Sequence, residues 1–366
     1  MKPATKRILN LVLIVGTLAI VLVIGLRDND LPTTIKTLTQ MDMGNALLCV
    51  LCFFCFLASE ALSMMYFLYR RGYRITFAYA MYVTIAGQYY SCVTPGASGG
   101  QPMQIYYLHQ RYVPTGVATS ALVTRFFAFQ FMLSVLSTLF WIAYGPFVRE
   151  QIGGSMWVLI IGYIYNLFTC ALVILFSFLR GPVRTVIRFL TRCGGKFHLL
   201  KNPEKTQEKW MREVDVFHES MQGIRHKPKD VLIQLLLGCV QLLSLMSILW
   251  FVYRGLDLSG ATWGQVVTLD LLEYISAAYT PLPGASGAQE VVFSIYFGHL
   301  FHGASMFAGL LLWRFFTYYI FIIVGGIIVT VVGLREGKTI REVAKISEEI
   351  QEKPQMLPPP DAASKS

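Results

Sequence analysis

Along this chain, long apolar runs alternate with short polar, basic or Gly/Pro-rich stretches, and the runs have the length of a bilayer. Residues 8–26 (ILNLVLIVGTLAIVLVIGL) form one unbroken example, and a helix needs about 20 such residues to cross the hydrocarbon layer. Further spans read at 44–69, 115–144, 156–179, 229–252 and 304–333. The first follows Lys2, Lys6 and Arg7 as a signal peptide would. It has no small-residue cleavage site before Arg27-Asp28, however, and its length suits an uncleaved anchor. The pattern predicts an all-α polytopic membrane protein with six full spans.

Two stretches between the spans share a second pattern. Thr94-Pro95-Gly96-Ala97-Ser98-Gly99-Gly100-Gln101 returns as Leu282-Pro283-Gly284-Ala285-Ser286-Gly287-Ala288-Gln289, so Gly96 and Gly284 stand 188 positions apart. Arg125-Phe126-Phe127 returns as Arg314-Phe315-Phe316, and Tyr69-Arg70 as Tyr253-Arg254, in the same order. Three landmarks at nearly one offset describe an internal repeat. A paired Pro/Gly break in a membrane chain is the best sequence pointer to a transport site.

Charge sets the orientation. Lys2, Lys6 and Arg7, then Arg70, Arg71 and Arg74, then Arg180, Arg184, Arg188, Arg192 and Lys196 flank the spans, and such clusters lie in the cytoplasm. Both termini are then cytoplasmic, provided that residues 75–112 enter and leave on that side and residues 257–303 on the other. The breaks become two re-entrant helical hairpins in an inverted repeat. A competing layout makes each a single broken crossing helix, which keeps the repeat and changes the topology.

The halves are therefore 1–179 and 229–334, joined by a basic cytoplasmic linker, 180–228, and followed by a charged tail, 335–366, that ends in a Pro/Ala/Ser-rich stretch. In the linker Trp210, Val214, Phe217, Met221 and Ile224 recur at helical spacing among charged residues, an amphipathic helix. It lies either on the anionic leaflet or against the ends of the spans.

Composition narrows the chemistry. Hydrophobic residues make up 55% and charged residues 14%, well below the roughly 25% charge of a soluble domain. The net charge of +10 belongs to cytoplasmic loops facing a membrane surface, and no compact basic domain suggests nucleic acid. Seven cysteines, an odd number lying mostly in apolar spans, argue for neither disulfides nor metal. Cys49, Cys52 and Cys55 lack nearby His or carboxylate ligands, and no phosphate-loop or zinc motif is present. No catalytic residue, cofactor or metal is expected.

The breaks carry the chemistry. A half-helix starting near Ser98 or Gly99, and its counterpart near Ser286 or Gly287, presents free N–H groups and a positive dipole end suited to phosphate. Ser98 and Ser286 suit the N-cap position. Arg125 and Arg314 each lie about ten residues into a span, near mid-bilayer, where a guanidinium faces a cavity or an acid. It either grips a lipid phosphate through its two-donor fork or forms a fixed ion pair with Glu60, Glu273, Asp270 or Glu290. Glu60, Asp270 and Glu273 are also the acids that could carry a proton.

These residues resemble the integral membrane domain of the lysylphosphatidylglycerol synthase/flippase family, over about residues 8–335. The second-copy signature T-P-x-P-G-x-x-G-x-x-E is matched by Thr280, Pro281, Pro283, Gly284, Gly287 and Glu290, while Pro102 stands in the first copy where Glu290 stands in the second. The resemblance implies a bacterial or archaeal cell-membrane protein that moves an anionic or aminoacylated phospholipid such as lysylphosphatidylglycerol between leaflets. It adds Glu290 to Arg125, Arg314, Ser98, Gly99, Ser286 and Gly287 as expected lipid-binding residues. Bifunctional members also carry a soluble domain that transfers lysine from charged tRNA to phosphatidylglycerol. Only about thirty residues follow the last span here, so a lysyltransferase reading needs a separate lipid-modifying partner. An intramembrane serine protease built on the two G-A-S-G words is a third reading. It needs a His base, and duplication of the word speaks for symmetry instead.

Overall fold

The computed structural model describes residues 36–196, 203–225, 227–277, 280, 285 and 287–333. The expected span at 8–26, the tail from 335, and Pro281, Pro283, Gly284 and Ser286 lie outside them. Everything described is helix or short connection: α1 (Met43–Arg70), α2 (Phe77–Cys92), α3 (Gly100–Gln110), α4 (Thr115–Ala143), α5 (Gly145–Ile152), α6 (Met156–Phe178), α7 (Arg180–Lys196), α8 (Pro203–Arg225), α9 (Pro228–Gly255), α10 (Trp263–Ala277), α11 (Ala288–Phe297) and α12, which begins at Ala304 and runs to Gly333. Among the described residues five helical segments are long and apolar enough to cross a membrane: Met43–Arg70, Thr115–Ala143, Gly145–Ser177, Pro228–Gly255 and Ala304–Gly333. They match five of the expected spans, and the third gains α5 at its start.

Local chemistry sets the ends of these helices. Asp42 caps α1 by accepting the Asn45 N–H at 2.8 Å, and the helix stops where Gly72 takes a φ of 86°. Thr76 caps α2 through the Tyr79 N–H. Pro228 opens α9 at a position where its missing N–H costs nothing. On the outside, Leu47, Leu51 and Phe54 of α1, Ile160, Ile164 and Phe168 of α6, and Ile323, Ile327 and Val331 of α12 are exposed at helical spacing. Such apolar stripes face lipid; the chain is a polytopic membrane protein.

The repeat is visible element by element. Helices α1, α2, α3 and α4 are followed, after the linker, by α9, α10, α11 and α12 in the same order and at the offset of the sequence repeat. The equivalent helices α1 and α9 make the most extensive contact in the bundle, and they run antiparallel along its length. The Asp42 N–H donates to Gly255 O at 2.9 Å, Cys49 Sγ lies 3.6 Å from Ile248 O, Ser63 Oγ donates to Gln234, and Arg70 pairs with Asp230 at 3.0 Å.

At each break the flanking helices meet. Tyr79 OH near the start of α2 donates to Tyr107 O near the end of α3 at 2.5 Å, so the two helices pack back against each other. Gly100 lies against Ser91 and the Gly87 carbonyl, so close that a Cβ would collide with both. In the second copy Ser276 of α10 shares a hydrogen bond with Tyr296 of α11 at 2.7 Å, so these two helices are also packed together. One apolar core gathers around Met64, Phe67, Val83 and Leu122 in the first half, and another around Leu249, Leu269, Phe293 and Trp313 in the second. Phe56, Leu57, Cys92, Tyr318 and Phe321 join the halves.

The amphipathic helix of the linker is α8, and it packs on the bundle. Glu213 accepts the Gly116 N–H at 2.7 Å, Ser120 Oγ lies 3.2 Å from Phe217 O, and Met221 is buried against Thr124. Of the two positions open to it, contact with the helix ends is the one adopted, because α4 opens with small residues that let α8 approach. Cys49 is buried in the core, and the cysteines among the described residues are free thiols.

Candidate functional site

Arg125 of α4 and Arg314 of α12 face each other's half across one cavity of about 320 Å³, lined by residues of α1, α2, α3, α4, α9, α10, α11 and α12. The first break contributes Ala97 and Gln101, and the second copy contributes Gln289. Both arginines are held by acids. Arg125 forms an ion pair with Glu60, whose side chain is 1% exposed. Glu60 also accepts from the amides of Gln88 (2.7 Å), Gln104 (3.2 Å) and Gln241 (3.2 Å). Arg314, 2% exposed, donates through Nε to Glu290 at 2.8 Å, holds a terminal nitrogen 2.6 Å from the same carboxylate oxygen as an ion pair, and donates to the Gln289 amide oxygen. Of the four acids proposed as arginine partners, Glu60 and Glu290 take that role.

The other two acids are placed differently. Asp270 of α10 is 2% exposed, lines the cavity, and has neither an ion-pair nor a hydrogen-bond partner among the described residues. Glu273, one turn further on, is wholly buried with both oxygens unpartnered among the described residues.

The breaks are built more tightly than a free helix end. The Gly99 N–H donates to Thr94 Oγ1 at 2.8 Å, and Thr94 in turn donates to Tyr90 O at 2.6 Å. The N-cap position expected of Ser98 is held by Gly99, with no side-chain cap, and Thr94 occupies the Gly99 N–H instead; Ser98 is exposed, and neither it nor Gly99 lines the cavity. In the second copy Glu290 reaches back to the Gly287 N–H at 2.5 Å, so that this N–H is already occupied. Glu290 thus caps α11 and holds Arg314 at once. Ser286 lies outside the described residues. Ala97 and Ala285, 188 positions apart, both adopt the left-handed region, with φ of 54° and 49°, a conformation that costs an ordinary residue roughly 1–2 kcal/mol. The repeat thus extends to backbone strain at matched positions.

The family model described as the lysylphosphatidylglycerol synthase TM region matches residues 7–325. The chain belongs to this family. It is also 24% identical, over 261 residues, to a UPF0104 membrane protein of Archaeoglobus fulgidus, covering 70% of this chain and 76% of that one. The matched region contains both Pro/Gly breaks and every residue that lines the cavity. Membership brings a lipid-translocase-like role and contact with membrane phospholipids.

One feature of the site went unread in the sequence. Gln88, Gln101, Gln104, Gln130, Gln241 and Gln289 all line the cavity. The signal was present in two forms: Gln101 and Gln289 occupy matched places after the two breaks, and Gln130 and Gln241 interrupt apolar spans. After Arg314 the helix passes through a π-helical turn, Phe315–Tyr319, whose Thr317 and Tyr318 also line the cavity. Such turns recur at functional sites.

Proposed function

We propose that this chain is a lipid translocator that moves an anionic or aminoacylated phospholipid, such as lysylphosphatidylglycerol, between leaflets. The observation that carries this reading is the single cavity bounded by Arg125 from one half and Arg314 from the other. A phosphate entering it exchanges with Glu60 or Glu290 for the guanidinium fork, whose planar pair of donors fits two phosphate oxygens. The acyl chains stay in the bilayer. Glu60 is committed to Arg125 and three amides, which leaves Asp270 and Glu273 as the carboxyls able to carry a proton with the lipid.

The topology belongs to the same proposal. Six spans and two re-entrant hairpins form an inverted repeat with both termini cytoplasmic. The antiparallel pairing of α1 with its equivalent α9 supports the inversion, and exchange of access between equivalent halves follows from it. The bonds of Arg70 with Asp230 and of Arg71 with Ser220 O gather the basic end of α1, the start of α9 and α8 on one side.

Reconstitution into liposomes tests the reading. Leaflet exchange of phosphatidylglycerol or its lysyl ester is expected, and Arg125→Lys or Arg314→Lys should each slow it, because lysine keeps the charge and loses the fork. Absence of exchange for every lipid under an imposed gradient would remove the translocator.

A further inference from the structure

We infer that α7 is an interfacial helix whose exposed face docks onto anionic lipid headgroups in the leaflet at the basic end of the bundle. This surface is separate from the cavity, and its partner is the membrane itself.

The sequence of α7 places its charge on one side. Arg180, Arg184, Arg188, Arg192 and Lys196 recur at every fourth residue, and no acid stands between the first and the last. A spacing of four keeps successive side chains near one another on a helix, where like charges repel unless an opposite charge lies beside them. Helix α8 supplies only part of it. Arg184 pairs with Asp215 at 2.7 Å, Thr191 Oγ1 donates to Gln207 at 3.1 Å, and Ile187 is buried. Positions 184, 187 and 191 share the side turned to α8, while Arg188 and Arg192 stay exposed.

The remaining side of α7 is apolar and uncovered. Val186 and Phe189, one turn apart, are both exposed, Phe189 by 66%. They continue a stripe that already faces lipid: Phe168, Leu175 and Leu179 are exposed at helical spacing down to the end of α6. Leu179 is the single residue between α6 and α7, and its extended backbone, with φ of −102° and ψ of 110°, turns the chain there. A helix that leaves a membrane span through such a turn, with valine and phenylalanine beside arginine, has the composition of one lying in the headgroup region. Its apolar side chains reach the first acyl carbons, and its arginines extend to phosphate. Helix α8 offers no such surface. Its charges are mixed, Glu208 with Arg212 for one, and its Met221 is buried against α4.

The occupant follows from charge. A second copy seated by two-fold symmetry would set the same row of arginines against itself. An anionic leaflet neutralises that row, each basic residue near the surface raising the bound population about fivefold. Through Arg184 and Asp215, then Glu213 and the Gly116 N–H, this anchor is tied to α4, the helix that carries Arg125.

Photo-crosslinking of the full chain in vesicles of equal phosphatidylcholine and phosphatidylglycerol tests the inference. Benzoylphenylalanine replaces Phe189, with the same probe at Ile164 on the lipid face of α6 as reference and at Glu208 on α8 as the aqueous background. Adducts are read by mass. The probe at Phe189 should capture lipid above that background, and phosphatidylglycerol over phosphatidylcholine by at least threefold relative to the probe at Ile164. Arg188→Gln with Arg192→Gln should bring that preference close to one. Val186 gives a second probe position should replacement of Phe189 impair folding. Equal capture of the two lipids by the chain with both arginines, a preference that survives their replacement, adducts with a second copy instead of lipid, or no lipid captured from either position would each overturn the inference.

Discussion

The two halves place an arginine at the same point behind the same break and neutralise it with acids from different places. In the second half the acid is local: Glu290 sits in the first turn of α11, caps that helix through Gly287, and reaches Arg314. In the first half Pro102 occupies the equivalent position, and the acid is Glu60 of α1, ringed by three glutamine amides. The arginine is the shared requirement, and its counter-charge is free to migrate through the fold. The difference also divides the two pairs by their support. Among the described residues Glu290 has one further donor, a backbone N–H, whereas Glu60 has three.

That division ranks the expected effects. Arg314→Gln leaves a buried carboxylate with a single N–H donor and should cost about 3–5 kcal/mol, as removing one member of a buried pair does. Thermal unfolding in detergent would read the loss, and Glu290→Gln in the same chain should restore most of it. Arg125→Gln leaves Glu60 its three amides and should cost less, about 1–3 kcal/mol, the scale of one lost charged hydrogen bond. The opposite order of the two midpoints would break the comparison. Gly100→Ala forces a methyl into Ser91 and the Gly87 carbonyl, and overpacking of this kind costs about 1–3 kcal/mol. Its effect should appear as faster proteolysis or labelling near Tyr112, with the second break unaffected. The smallest effect sharpens the comparison. Pro102→Glu, placed in a Glu60→Gln background, imports the second half's wiring and should return about 0.3–1 kcal/mol through the start of α3. No recovery would mean that the halves are not interchangeable at this position.

The helices were legible because their signal is length. Met43–Arg70 and Ala304–Gly333 are apolar over more than the bilayer thickness, and no packing detail is needed to see it. The breaks were legible because Pro95, Gly96 and their counterparts forbid a continuous helix. Arg125 and Arg314 stood out because charge is rare in such runs. Their partners did not, because any of four acids satisfied the same rule and only three-dimensional proximity chooses among them. How each pair of half-helices packs rested on contacts such as Tyr79 with Tyr107, which sequence separation conceals. Gly99 takes the N-cap position offered to Ser98, and its N–H is bound by Thr94 for a local reason. Thr94 lies five residues back from Gly99, further than the usual capping spacing, and only the left-handed turn at Gly96 and Ala97 brings its hydroxyl within reach.

The unequal reach of the two ion pairs has a consequence for biosynthesis. A ribosome adds about 5–20 residues per second, so Glu60 is made some 3–13 s before Arg125 exists. Glu290 precedes Arg314 by 24 residues, or roughly 1–5 s at the same rate. The insertion machinery must therefore accept α1 with an acid that still lacks its cation, and must keep it in place while α2, α3 and the start of α4 emerge. The second pair arrives almost together. Any quality-control factor that watches for unpaired charge within the bilayer thus has its longest opportunity on the first half of this chain.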